Sequence, residues 1–264
     1  MKVAIIGGGT MGEALARSFS TIDNIEVCVA EVKGERRAQL QEQGFKTYAS
    51  SIEAVREAEV VVIAVKPKDV KGVLEEVKEL VGGKLIISVA AGVKIRHLES
   101  VIPEGRFIRA MPNIAAVVKA AITALTPSRN VGKEDLEVAQ SLFSSIGRTI
   151  LIDESLIDAV TGLSGSGPAY IFLVIEALAE GGLKMGIPYD KAIQLASWVA
   201  FGASKMVIES NKDPSELRRR VTTPAGTTIE GLLKLEEAGV RAAFIKAVEA
   251  ASKRAYEISR DLGG

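Results

Sequence analysis

The sequence predicts an α/β protein in which a doubly wound parallel sheet over residues 1–153 is followed by an all-helical domain over 154–264. Three observations carry that expectation. Val3-Ala4-Ile5-Ile6 runs without alternation into Gly7-x-Gly9-x-x-Gly12, which reads as a strand buried on both faces that turns sharply into a helix. Strand-like and helix-like stretches then alternate as far as Ile152, the pattern of right-handed βαβ crossovers. Beyond Ile152 the strands cease and helical periodicity runs to the end.

In order, strands are expected at 3–6, 25–31, 46–48, 59–65, 85–89, 107–110, 121–125 and 149–152, with helices over 13–19, 35–43, 52–56, 69–80 and 133–146 between them. In the second part, a short helix over 156–163 is interrupted at Gly165-Ser166-Gly167. Pro168 suits a first helical position, and 169–185 runs to the stop signal Gly186. Pro188 opens a helix to about 210, and Asp213-Pro214-Ser215-Glu216 is a capping box that opens a short one to 220. The last helices, 229–238 and 240–262, divide at Gly239. Tyr170-Ile171-Phe172-Leu173-Val174-Ile175 is apolar all round, as in a helix surrounded by protein. The helices of one chain would struggle to cover it on every side, so a homo-oligomer, a dimer that packs helical domains together, is expected; the alternative is burial against the chain's own first domain.

Composition narrows the function. Lys plus Arg and Asp plus Glu are 33 each, so no basic field points to nucleic acid or an anionic membrane, and a small metabolite fits better. The single cysteine, Cys28, and the single histidine, His97, cannot build a disulfide framework or a His/Cys metal site. Cys28 reads as a small buried hydrophobe and His97 as a surface residue. The longest apolar stretch, 169–183, carries Glu176 and Glu180, so no membrane span is expected. The chain opens directly on its first strand, which predicts no leader and a reducing cytoplasm.

The glycine turn carries the first chemistry. Gly7 permits the bend, Gly9 lets backbone approach a pyrophosphate, and Gly12 lets the helix lie close on its strand. The amides at the helix start, around Thr10 and Met11, then point at negative charge, as in a Rossmann-type cofactor site; the alternative is a glycine-rich connection with no ligand. Unusual residues recur where later strands end: Val65-Lys66-Pro67, Ala90-Ala91-Gly92 and Arg109-Ala110-Met111-Pro112-Asn113. In such sheets ligands bind beyond the carboxyl ends, so these segments are candidates to line a cofactor pocket, although each proline would also end a strand unaided. Glu31, 19 residues after Gly12, is placed to hydrogen-bond a ribose diol and to repel a 2′-phosphate, which favours NADH. Lys33, Arg36 and Arg37 could offset that repulsion or simply begin a solvated helix.

A second candidate site is Val221-Thr222-Thr223-Pro224-Ala225-Gly226-Thr227-Thr228, which has no core-packing rationale and ends at a helix N-terminus. Thr227 and Glu230 fit a capping box, which leaves the Thr228 hydroxyl freer. Exposed amides and hydroxyls there would bind a carboxylate without a cationic side chain; the alternative is a polar hinge. Carbonyl reduction usually needs a strong proton donor, and the one histidine is badly placed for it. A protonated imine already carries the charge that hydride neutralises, so a threonine-lined anion site points to an imino acid.

With these residues assembled, the chain resembles the pyrroline-5-carboxylate reductases along its whole length. The resemblance rests on the glycine motif, Ala64-Val65-Lys66-Pro67, Arg109-x-Met111-Pro112-Asn113, Leu163-Ser164-Gly165-Ser166-Gly167-Pro168-Ala169-Tyr170 and the 221–228 segment. It implies reduction of 1-pyrroline-5-carboxylate to L-proline with NADPH or NADH. It also implies that the 223–228 loop holds the substrate carboxylate, that Thr228 bonds the ring nitrogen, and that helical domains interleave in dimers, often gathered into decamers. Two departures stand out: Ile114-Ala115 replaces the usual Thr-Pro after Asn113, and Glu31 stands where NADPH-preferring members carry polar or basic residues, so use of both cofactors is expected. The layout also resembles β-hydroxyacid dehydrogenases, but Ile171 occupies the position of their catalytic lysine. A non-catalytic dinucleotide sensor would explain the glycine motif and leave the threonine loop without a purpose.

Overall fold

The computed structural model describes residues 1–262. Strands β1 (Lys2–Ile6), β2 (Glu26–Ala30), β3 (Lys46–Tyr48), β4 (Val60–Ile63), β5 (Leu85–Ser88), β6 (Arg106–Met111), β7 (Ala121–Pro127) and β8 (Gly147–Leu151) form one sheet in the order β3-β2-β1-β4-β5-β6-β7-β8. Strand order reverses at β1, which pairs β2 on one side and β4 on the other, so the end of β1 is a topological switch point.

Strands β1 to β6 are parallel, but β7 runs antiparallel to β6, which corrects the expectation of a wholly parallel sheet. The reason is length. A parallel return needs about a dozen residues or more, and 112–120 hold only a tight 3-10 turn, Ile114–Val118. β8 resumes parallel pairing with β7 after a long helical crossover.

Helices α1 (Thr10–Phe19), α2 (Gly34–Glu42), α3 (Ser51–Val55), α4 (Val70–Val77), α5 (Ile95–Val101) and α6 (Lys133–Ser144) accompany the strands. The uninterrupted apolar strands feed two cores. Val3 and Ile5 pack with Leu15, Phe19, Leu40 and Phe143, and the next residues, Ala4 and Ile6, pack with Val55, Leu74, Val77 and Leu98. Successive strand residues point to opposite faces, so a strand apolar at every position is covered on both sides. His97, on α5, is half-buried rather than a surface residue.

The chain divides into two compact units, Met1–Ser166 with the chain end from Ala250, and Gly167–Glu249. Residues 154–166 stay with the sheet because Arg109, 2% exposed on β6, draws two of their carboxylates inward. Its Nη1 lies 3.2 Å from Glu154 Oε1 and its Nη2 3.7 Å from Asp158 Oδ1. Asp158 also accepts from Ser259 Oγ at 2.8 Å, near the end of the last helix.

Helix α7 (Ile157–Val160) passes through a π-helical turn, Thr161–Gly165, into α8 (Gly167–Lys184). The expected interruption at Gly165-Ser166-Gly167 is therefore a local widening. The resulting helical run, Glu154–Lys184, is long and apolar enough by length and composition to cross a membrane. That corrects the expectation that no stretch qualifies.

The second unit contains α8, α9 (Tyr189–Ser210), α10 (Pro214–Arg220), α11 (Thr227–Glu237) and the first half of α12 (Val240–Asp261). Asp213 caps α10 by accepting from Ser215 N, while Glu216 turns to Lys212 and Arg220 and so does not complete the expected box. The core of this unit is small. Ala179, Ala192 and Ala196 are buried with flanking isoleucines, whereas Ile171, Phe172 and Leu173 are half exposed or more, and Trp198 and Phe201 meet edge to face at 5.3 Å on the surface.

Candidate active site

The glycine turn joins β1 to α1 at the switch point. Gly7 has φ +105°, and a Cβ there would lie 2.7 Å from the Ala64 carbonyl oxygen, so only glycine fits. A Cβ at Gly12 would overlap the Gly7 carbonyl oxygen, which holds the helix start hard against the strand end. At Gly9 a Cβ would meet nothing within 4 Å: the backbone faces open space. Gly9 is also the N-cap of α1 and brings no side chain to its amides, so the N–H groups at the start of α1, with Thr10 exposed and Met11 half-buried, face that space. This is a fitting seat for a pyrophosphate.

The other expected cofactor residues stand at neighbouring strand ends. Val65 is half-buried after β4; Lys66 caps the 3-10 turn Pro67–Asp69 and is exposed. Ala91 lies in the turn after β5. Asn113 follows β6, and its Nδ2 donates to the Ser164 carbonyl at 3.2 Å, inside the π-helical turn.

Glu31 sits at the end of β2, as expected, but its carboxylate is already bonded within the chain. Oε2 accepts from Gly8 N at 2.9 Å and Oε1 from Lys33 N at 2.8 Å. Arg36 and Arg37 are not the start of a solvated helix. Arg36 Nε donates to Gly8 O at 2.7 Å and its Nη2 pairs with Glu13, while Arg37 Nη1 donates to Glu31 O at 2.9 Å. The Arg36 guanidinium holds the Glu13 carboxyl below the usual carboxylate range.

In the second unit the threonine segment forms a tight connection between α10 and α11. Thr222 Oγ1 donates to Arg218 O at 2.7 Å, so that hydroxyl belongs to the preceding helix. Gly226 N donates to Thr223 O at 3.1 Å, and a Cβ at 226 would collide with Thr223 Oγ1. Ala225 has φ +52°, a left-handed conformation that non-glycine residues hold only when their surroundings impose it.

The cap of α11 is Gly226, which corrects the expected Thr227/Glu230 box. Helical geometry begins at Thr227, which places Glu230 one residue too far along to reach back to the cap. Thr227 and Thr228 thus occupy the first two helical positions, with uncapped amides beside their hydroxyls.

Sequence reasoning missed two features. Gly8 is an unspecified position of the glycine pattern, yet both its polar groups are held by side chains. Arg109 was visible as a cation inside an apolar strand, which implies buried partners, but nothing local names Glu154 or Asp158. Two further features fall outside the site. Among the described residues no cluster of His, Cys, Asp and Glu could hold a metal ion. A cavity of about 280 Å³ lined by Lys2, Glu26, Cys28, Lys46 and Tyr48 lies at the amino ends of the strands, away from the ligand side of such sheets. Cys28 there is half-buried, and burial pushes its thiol up.

Comparison with known proteins agrees with this geometry. Residues 154–258 match the family model described as pyrroline-5-carboxylate reductase dimerisation, and residues 2–92 match one described as NADP oxidoreductase, coenzyme F420-dependent. A pyrroline-5-carboxylate reductase of Methanosarcina acetivorans is 43% identical over 98% of both chains. The solved structure of a pyrroline-5-carboxylate reductase from Coxiella burnetii superposes with a TM-score of 0.91 at 34% identity over 97% of both chains. That of the Plasmodium falciparum enzyme, solved with NADP bound, gives 0.87 at 28% identity over 98% of both. Such identity along the whole length, joined to a glycine turn at the switch point and a dimerisation segment, means that the chain belongs to the pyrroline-5-carboxylate reductase family.

Proposed function

We propose that the chain reduces 1-pyrroline-5-carboxylate to L-proline, the last step of proline synthesis, using NADPH or NADH. The observation that carries the reading is the full-length identity to reductases of that name, joined to a phosphate-cradling turn that fits a dinucleotide. When bound, the reduced dinucleotide supplies the hydride.

The chain's own part is binding and orientation. Uncapped amides and hydroxyls of Thr227 and Thr228, with Thr223, Ala225 and Gly226 shaping the turn, receive the carboxylate at the positive end of α11. Thr228 Oγ accepts a hydrogen bond from the protonated imine N–H and fixes the ring. A threonine hydroxyl is too weak an acid to protonate the imine, and none is needed: the cation carries its proton in, and hydride addition at carbon leaves a neutral amine. Gly7, Gly9, Thr10, Met11 and Gly12 hold the pyrophosphate, Glu31 the ribose, and Val65, Lys66, Pro67, Ala91 and Asn113 the remainder of the dinucleotide.

The exposed apolar faces of α8 and α9 pair two copies, and dimers assemble further into a decamer. That covering accounts for the membrane-length helix of a soluble cytoplasmic protein. The test follows nicotinamide absorbance with 1-pyrroline-5-carboxylate and each cofactor, with proline quantified. Proline equal to oxidised cofactor is expected; nucleotide binding without turnover overturns the reading. Thr228→Ala should lower kcat/KM by about 10- to 100-fold, the worth of a hydrogen bond to a charged group, with cofactor Kd unchanged.

A further inference from the structure

The phosphate turn is gripped at Gly8, and the two jaws carry opposite charge. Glu31 Oε2 accepts from Gly8 N–H at 2.9 Å, and Arg36 Nε donates to Gly8 O at 2.7 Å. Both are charge-assisted bonds to backbone, the stronger kind. The grip leaves no room: a Cβ at the buried Gly8 would lie 2.5 Å from Leu40 Cδ1 and 3.2 Å from Glu31 Oε2.

Each jaw is itself held. Arg36 Nη1 donates to Gln39 Oε1 at 3.0 Å and its Nη2 pairs with Glu13 on the first turns of α1, so all three of its nitrogens are engaged. Glu13 is tied in turn to Arg17 at 2.9 Å. The second Glu31 oxygen takes the Lys33 N–H, and Arg37 donates to the Glu31 carbonyl.

We propose that Arg36 is a positioning residue that acts through Gly8 to set the phosphate turn, and that Glu31 is both the opposing jaw and the group that discriminates at the ribose. This deepens the cofactor assignment and rests on the dinucleotide reading of the turn. It makes a counter-intuitive statement about the arginines. Arg36 is a cation beside the ribose-recognising carboxylate, yet it is not a ligand of a 2′-phosphate: each of its three nitrogens already has a partner in Gly8, Gln39 or Glu13, its charge is paired with Glu13, and only one N–H on each Nη stays uncommitted. The pyrophosphate is common to both cofactors, so loss of Arg36 weakens both alike.

The two functions of Glu31 separate by substitution. Glu31→Gln keeps an oxygen for the Gly8 N–H and removes the charge; Glu31→Ser removes both.

The experiment titrates the intact protein with NADH and with NADPH by calorimetry at fixed ionic strength, with thermal melting to register the folded state. Wild type is compared with Arg36→Met, Arg36→Lys, Glu31→Gln and Glu31→Ser. Arg36→Met should raise both dissociation constants about tenfold, the cost of a charge-assisted bond, and leave their ratio unchanged. Arg36→Lys should do the same, because an ammonium cannot serve Gly8 O, Gln39 and Glu13 as a fork. In steady state the cofactor KM rises while kcat at saturation holds. Glu31→Gln should shift the ratio toward NADPH with a smaller loss of NADH affinity than Glu31→Ser, which should shift the ratio equally while weakening both cofactors.

Selective loss of NADPH in Arg36→Met would make Arg36 a phosphate ligand and overturn the proposal. So would unchanged affinity for both cofactors, with wild type binding normally. Wild type that binds neither cofactor overturns the dinucleotide reading itself, a distinct result.

Discussion

Gly12 shows how little tolerance a single position of the turn has. Its Cα faces the Gly7 carbonyl so closely that one methyl group overlaps it, and both partners are backbone, which cannot rotate away. Gly12→Ala should therefore abolish measurable cofactor binding in calorimetry, while retained affinity would show that α1 slides freely on β1. The Gly-x-Gly-x-x-Gly spacing made this requirement readable in the sequence, because each glycine answers to a local close approach. Glu31 was half legible. The sequence put a carboxylate at the end of β2; that the same carboxylate would hold Gly8, 23 residues away, depends on how the turn folds back beside it. Thr227 and Thr228 carry a similar lesson: the residue types predicted an anion site, but the chain turns through the left-handed Ala225 and is capped by Gly226, so the helix starts one residue earlier than a Thr227 cap implies.

Elements were legible wherever period and punctuation agreed. All eight strands fall where apolar runs and turn residues placed them, and α9 to α12 follow their prolines and glycines. Direction was not legible for β7, since a strand's sequence carries no sign of parallel or antiparallel pairing; only the short 112–120 connection implied it. The run from α7 into α8 shows tertiary context overriding a break signal. Gly165 lies within 3.0 Å of the Met111 methyl as measured from an added Cβ, and Asn113 takes the Ser164 carbonyl, so the glycines accommodate the end of β6 inside a continuous helix. The anchor of this segment is Arg109. Replacing it by Met leaves Glu154 and Asp158 without their buried cation, and should cost about 3 kcal/mol. For a chain of this size that is a fall of roughly 6 to 12 °C in Tm by differential scanning calorimetry. An unchanged Tm would show that the two carboxylates relax to solvent instead.

At the scale of the whole molecule, the two units differ in how they meet the hydrophobic requirement. The sheet unit buries its apolar strands on both faces, whereas Gly167–Glu249 encloses only a small alanine-rich core and leaves Phe172 64% and Trp198 70% exposed. A second copy of this dimerisation segment is the covering its sequence calls for. Phe172→Glu combined with Trp198→Glu should therefore give a smaller species by light scattering after size-exclusion chromatography. An unaltered mass would move the interface to other faces of the unit.

The sequence by itself determined the α/β plan, the glycine turn, the candidate anion site and the need for a partner, because each follows from local spacing or from an excess of apolar surface. Tertiary structure alone decided the grip on Gly8, the burial of Arg109 and the cap of α11. Those features depend on which distant backbone and side-chain groups meet, and a polar group taken from water must be satisfied by whatever the fold brings to it.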